Sequence, residues 1–150
     1  MKRGGCLKII INEYHPDTEI IINCPQVTGD ILKIVSMLRS FDKKVSGTKD
    51  GQTHIIDIND VFYFDSVDKR SFIYTANDVF HTPLKLYEIE ERLSDIGFFR
   101  CSKSQIVNIK KILSLCPDFG GRVEITMLNG EKLIISRQYT KSFKERLGLK

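Results

Sequence analysis

The sequence has no tryptophan, only four prolines and four cysteines in 150 residues, and no long apolar run. Each shortage removes a class of function. Without Trp there is no indole for a stacking cage. Cys6, Cys24, Cys101 and Cys116 lie 18, 77 and 15 positions apart, so no Cys-x-x-Cys pair offers a zinc knuckle or a redox dithiol. Each adjoins apolar residues and reads as a reduced core thiol. The runs Ile9-Ile10-Ile11 and Ile20-Ile21-Ile22 fall far short of the ~20 residues that span a bilayer. The basic start Met1-Lys2-Arg3 precedes no apolar h-region, so a cytoplasmic location is expected and a secretory signal is not. His15, His54 and His81 stand apart from one another and from Cys, so neither a metal nor a cofactor is expected. No glycine-rich phosphate loop and no serine elbow occur. Asp57, Asp60, Asp65 and Asp68 sit at strand ends and turns, where Asp serves the backbone, and nothing selects Asp57 or Asp65 for acid–base work. No active site is read, and an enzyme is the least favoured class.

What is present suits one domain, or one domain with a small appendage: 41% hydrophobic and 28% charged residues in an ordinary globular balance. The net charge of +4 hides an asymmetry. Residues 1–44 carry seven basic groups against five acidic, residues 45–95 five against ten, and residues 96–150 eleven against four. A polyanionic partner for the last third is thereby indicated, although a basic stretch is more often a solvated face.

The chain opens as a β-β-α unit over residues 1–44, a candidate regulatory or dimerising element. Strands are expected at Leu7–Asn12 and Glu19–Cys24 around His15-Pro16-Asp17-Thr18. Val27, Ile31, Ile34, Val35, Leu38 and Phe41 then fall at helical spacing behind Pro25 and Thr28. From residue 45 to 150 the rhythm is short strands between turns. Asp50-Gly51 marks a tight hairpin, and strands are expected at His54–Ile58, Val61–Phe64, Phe72–Thr75 and Val79–Thr82. A helix starts at Pro83, capped by Thr82. Strands Ile112–Cys116, Arg122–Met127 and Lys132–Ser136 follow, the last two joined at Asn129-Gly130. Ser136 is placed as the N-cap of a final helix with Tyr139, Phe143 and Leu147 on one face and Gly148 at its end. The fold class read here is mainly β, a β-rich α+β chain.

Two stretches stand out. Phe98-Phe99-Arg100-Cys101-Ser102-Lys103-Ser104-Gln105-Ile106-Val107-Asn108 is followed 28 residues later by Ser136-Arg137-Gln138-Tyr139. Both are short polar or basic runs pinned by apolar residues, a way to hold contact side chains on a rigid sheet. Lys103 and Arg137 have the reach and donors for base edges. Ser102, Ser104, Gln138 and Tyr139 suit phosphate oxygens. Arg100 fits either a phosphate contact or an ion pair with an acid from the middle segment. Lys141, Lys144 and Arg146 read as a solvated helix face or as phosphate contacts alone.

These motifs, with Ile58-Asn59-Asp60-Val61-Phe62-Tyr63-Phe64 upstream, closely resemble the LytTR-type DNA-binding domain of bacterial transcription regulators, over roughly Val45 to Leu149. The resemblance implies an elongated, mainly antiparallel β domain unrelated to the helix-turn-helix. Its loops and strand ends would enter successive major grooves of bent duplex DNA at direct-repeat sites. By position, Lys103 and Arg137 would read bases, Lys69 or Arg70 would add a third contact, and Asn108 would be structural. Ser102 stands where many relatives carry His. The chain looks like a standalone member without a receiver domain. The rival reading is a β-rich protein-interaction module using the N-terminal hairpin and helix, and a homodimer is compatible with either.

Overall fold

The computed structural model describes residues 7–41 and 43–149. Gly29–Ser40 forms α1, whose N-cap Thr28 accepts the Ile31 N–H on its hydroxyl at 3.4 Å. Tight turns then lay out a sheet. Lys44–Lys49 (β1) and Gln52–Asp57 (β2) pair around Asp50 and Gly51, whose φ angles of 51° and 77° match the twist of a two-residue hairpin. Val61–Val67 (β3) and Arg70–Thr75 (β4) repeat the device with Asp68 and Lys69 at 53° and 66°. Neither of these is glycine, so the second turn holds strain of roughly 1–2 kcal/mol per residue.

Val79–Thr82 (β5), the helix Leu86–Leu93 (α2), Phe98–Arg100 (β6) and Gln105–Asn108 (β7) complete a seven-stranded antiparallel sheet in the order β2-β1-β5-β4-β3-β7-β6. Ile112–Pro117 (β8), Val123–Met127 (β9) and Lys132–Ile135 (β10) form a second antiparallel sheet, β10-β9-β8. Arg137–Arg146 (α3) closes the chain. The protein is thus mainly antiparallel β with few helices, as expected.

β3 lies between two cores. A register shift between Val61 and Tyr63 sends Val61 and Phe64 to one face and Phe62 and Tyr63 to the other. The first pair packs with Ile73, Ile106 and the α2 residues Leu86, Ile89 and Leu93. The second packs with Val107, the β9 residues Val123, Ile125 and Met127, and Phe143 of α3. A strand covered on both faces explains why Val61-Phe62-Tyr63-Phe64 is apolar throughout. The Tyr63 hydroxyl donates to Glu131 Oε2 at 2.6 Å, fastening the Asn129-Gly130 hairpin to the first sheet. Burial, reinforced by that carboxylate, raises the phenol well above its ordinary pKa. At Gly47 a Cβ would lie 2.6 Å from Phe80 Cβ, so β1 and β5 approach only because the side chain is missing.

Some expectations are corrected. Leu7–Asn12 and Glu19–Cys24 form no strands: neither segment has a ladder partner among the described residues, and β-structure needs one. α2 starts at Leu86 with Lys85 at the N-cap, not at Pro83. Thr82 remains in β5 and its hydroxyl accepts the Leu84 N–H, while Glu88 reaches back to the Lys85 N–H at 2.8 Å. Ser136 occupies the N-cap of α3, but its hydroxyl makes no cap bond. Of the cysteines only Cys101 is in the core; Cys24 is half-buried, Cys116 is exposed on β8, and Cys6 lies outside the described residues. No described helix is long and apolar enough to cross a membrane.

Candidate nucleic-acid interface

The loop between β6 and β7 is fixed from several sides. Its neck closes where the Cys101 and Ser102 amides donate to the Gln105 carbonyl at 3.0 and 3.4 Å. Inside it, the Ser104 N–H donates to Ser102 Oγ at 3.2 Å. Arg100 reaches underneath: Nε donates to the Ser102 carbonyl at 2.8 Å, one terminal nitrogen to the Lys103 carbonyl at 2.6 Å, and the other to Glu90 Oε1 at 3.1 Å. Its side chain keeps only 20% of its exposure, so this guanidinium is committed to the loop and to α2.

Two tertiary bonds place the loop. The Ser66 N–H of β3 donates to the Ser104 carbonyl at 2.8 Å. Because Asp65 pairs with Gln105, and β3 runs on into the Asp68-Lys69 turn, Lys69 and Arg70 project at the same end of the sheet as Lys103. The Ser136 N–H donates to the Cys101 carbonyl at 2.9 Å, which brings the start of α3 to the base of the loop. Phe99 reinforces this joint with an edge contact to Tyr139 and a tilted one to Phe143, at ring-centre distances of 6.5 and 5.4 Å. Cys101 sits in the joint, fully buried. Burial pushes its thiol up to about 12, so it is a protonated packing residue at neutral pH.

The sequence-predicted residues therefore meet on one region. Lys69, Arg70, Lys103, Arg137, Gln138 and Lys141 are exposed, and Ser102, Ser104 and Tyr139 half-buried. Among the described residues, none of the five cations in that set is ion-paired, whereas Lys44, Lys49, Arg100, Arg122 and Lys132 each hold a carboxylate. Arg137 begins α3, where the first turn has neither a cap bond nor an acidic residue. The amides and the positive end of the helix dipole there favour an anion. Arg146, at the other end of α3, instead donates to the Ser94 carbonyl at 2.6 Å. Asn108 is structural: its amide nitrogen donates to the Val61 carbonyl at 2.9 Å and its oxygen accepts the Lys110 N–H at 3.1 Å.

One neighbour escaped the sequence reading. The turn Asp118–Gly121 rests on the start of α3, through Thr140 Oγ1 donating to the Gly121 carbonyl at 2.8 Å. Gly121 has φ of 80°, and a Cβ there would meet the Arg137 stem at 3.1 Å. This sets the turn, with Phe119 85% exposed, against the start of α3. Gly120-Gly121 marks a turn from sequence alone, but its contact with α3 comes only with the fold.

Part of the acidic middle of the chain faces elsewhere. Asp57, Asp60 and Asp78 line an open cleft of about 540 Å³ with His54, Lys111 and the 75–78 turn, at the end of β4 opposite Lys69. These three carboxylates thus stand away from the unpaired cations, whereas Asp68 shares its turn with Lys69.

Residues 51–148 match the family model described as the LytTr DNA-binding domain. A Staphylococcus aureus (strain NCTC 8325) protein named as an uncharacterized HTH-type transcriptional regulator is 32% identical over 145 residues, spanning 95% of this chain and 98% of its own. Its counterpart in the bovine strain RF122 is 33% identical over the same span. A solved LytTr DNA-binding domain from Bacillus cereus superposes with a TM-score of 0.69 at 26% identity, over 72% of this chain and 99% of that one. Despite the relatives' names, none of the three α-helices described here follows another directly in the chain, so no helix-turn-helix is formed.

Proposed function

The chain belongs to the LytTR DNA-binding domain family, and from that premise we propose that it regulates transcription by reading specific duplex sites through the β6–β7 loop, the start of α3 and the Asp68-Lys69 turn. The observation that carries this reading is the Ser136 N–H to Cys101 carbonyl bond. It joins two motifs remote in sequence into one surface whose exposed cations hold no carboxylate among the described residues.

Lys103 and Arg137 are the base-reading residues. Arg137 leaves the helix start with a planar fork suited to guanine O6 and N7. Lys69 and Arg70, both exposed, enter the neighbouring groove from the β3–β4 turn. Ser102, Ser104, Gln138, Tyr139 and Lys141 bind phosphate oxygens, with the α3 amides behind them. Arg100 contributes by bracing the loop. The sites are direct repeats, one domain to each.

Quantitative binding to promoter and mixed-sequence duplexes tests the proposal. Affinity should fall with salt at a log–log slope near −0.9 per phosphate neutralised. Arg137→Ala should weaken the preferred site by about 10- to 100-fold and random DNA far less, whereas Lys144→Ala should weaken both equally or neither. Absence of binding at low salt would sink the reading. Equal losses on both duplexes for Arg137→Ala would reduce that residue to a phosphate contact.

A further inference from the structure

We infer that residues 7–41 are the contact through which a second copy of this chain docks. Twelve of the twenty large apolar side chains exposed among the described residues fall in this stretch, which has under a quarter of the chain's length. Ile9 and Ile11 are 83% and 81% exposed, and Ile10 and Ile21 both 69%. Neighbouring isoleucines point to both faces of any strand they join, so one layer of cover cannot bury them. Their backbone has no ladder partner among the described residues either. A β-branched segment with bare amides and apolar groups on both sides is unstable alone, and pairing with another strand satisfies both deficits at once.

The helix behind it is divided. α1 lies against the Ser94–Ile96 turn and half-buries Ile31, Ile34 and Val35 there, while Leu32, Met37 and Phe41 face outward at 59%, 63% and 75% exposure. Its inner face fixes the helix to the Ser94–Ile96 turn; its outer face adds to the exposed apolar area of the same stretch of chain. If each of the twelve side chains hides roughly 100 Å² of apolar area, about 1,200 Å² is available per copy. A stable interface needs about 800 Å² per partner, and monomers rarely leave a patch of this size bare.

Charge selects the occupant. Residues 7–41 carry three Lys or Arg and four Asp or Glu, so the surface is almost neutral. An anionic lipid surface or a nucleic acid would call for an excess of basic groups, which is absent. A second copy meets no net repulsion and brings the same two-sided segment, as an isologous interface requires.

The test uses the full chain. Sedimentation equilibrium across micromolar concentrations should give a reversible dimer. The double variant Ile9→Lys, Ile21→Lys alters two exposed positions and should keep the wild-type melting temperature, yet weaken self-association by at least about tenfold. Binding to a single-repeat duplex should be unchanged in the variant, while cooperative occupancy of two repeats should be lost. That duplex also separates the two readings, since a protein that dimerises without binding DNA refutes the functional proposal alone. Wild-type protein that stays monomeric at 100-fold the duplex-binding concentration overturns the inference. So does a variant that dimerises as well as wild type, or monomeric protein that binds phosphatidylcholine vesicles through this surface.

Discussion

Replacing Arg100 by Lys separates a brace from a contact. The guanidinium spans three acceptors, the carbonyls of Ser102 and Lys103 and the Glu90 carboxylate, at 2.8, 2.6 and 3.1 Å. Lysine keeps the charge and can still meet Glu90, but a single ammonium cannot bridge both carbonyls. Hydrogen bonds to a charged donor contribute about 1.5–3 kcal/mol each when dry. Here the carbonyls recover water when released, so a stability loss of about 1–2 kcal/mol is expected, a fall in Tm of roughly 2–8 °C for a domain of this size. The DNA cost is larger. With the brace gone, Ser102, Lys103 and Ser104 must be reordered on binding, at about 1 kcal/mol or more for each residue fixed. Specific affinity should then drop by about 30- to 300-fold, the equivalent of 2–3.4 kcal/mol. Fluorescence anisotropy over a salt series is the assay. The salt slope should match wild type, because no phosphate contact is removed. If Arg100→Lys binds specific DNA like wild type, or if Arg100→Ala lowers the slope by about 0.9, Arg100 touches phosphate and the bracing argument is wrong.

Other outcomes follow from the same geometry. Gly47→Ala should cost about 1–3 kcal/mol by chemical denaturation, since β1 must back away from Phe80; a neutral result would mean the strands are less close than described. Asp65 has its carboxyl raised by burial, so its native state holds a proton more readily than its unfolded state, and stability falls as pH rises through that window. Asp65→Asn should therefore raise Tm at pH 7 and converge with wild type near pH 3; a lower Tm at neutral pH would refute this. Asp57 is opposite in sign: the Asn59 amide holds its carboxyl below the ordinary value, so its contribution is present at neutral pH and is lost as pH falls through the lowered pKa. Asp57→Asn should cost stability at pH 7 and almost none near pH 2, checked by the same melts. Under native conditions at pH 8, an aromatic disulfide reagent should modify Cys116 quickly and leave Cys101 intact until unfolding; rapid loss of Cys101 would show that the joint between the motifs opens readily.

Much of this protein is legible in its sequence because much of its architecture is local. Asp50-Gly51 and Asn129-Gly130 set their hairpins through backbone dihedrals that no distant residue need supply. Thr28 caps α1 and Gly148 ends α3 for similarly short-range reasons. The two segments proposed to contact DNA stand out in the sequence too, since charge, reach and spacing are properties of the chain. Three matters depended on tertiary structure. The union of Lys103, Arg137 and Lys69 at one sheet end rests on bonds from Ser136 to Cys101 and from Ser66 to Ser104, across 35 and 38 positions of chain. Arg100, open to a phosphate or an acid in sequence, was decided by α2 placing Glu90 within reach. Leu7–Asn12 and Glu19–Cys24 have the composition of strands and are not strands here. Propensity describes what a segment accepts, whereas a β-ladder exists only where the fold, or a second copy, presents another backbone to bond.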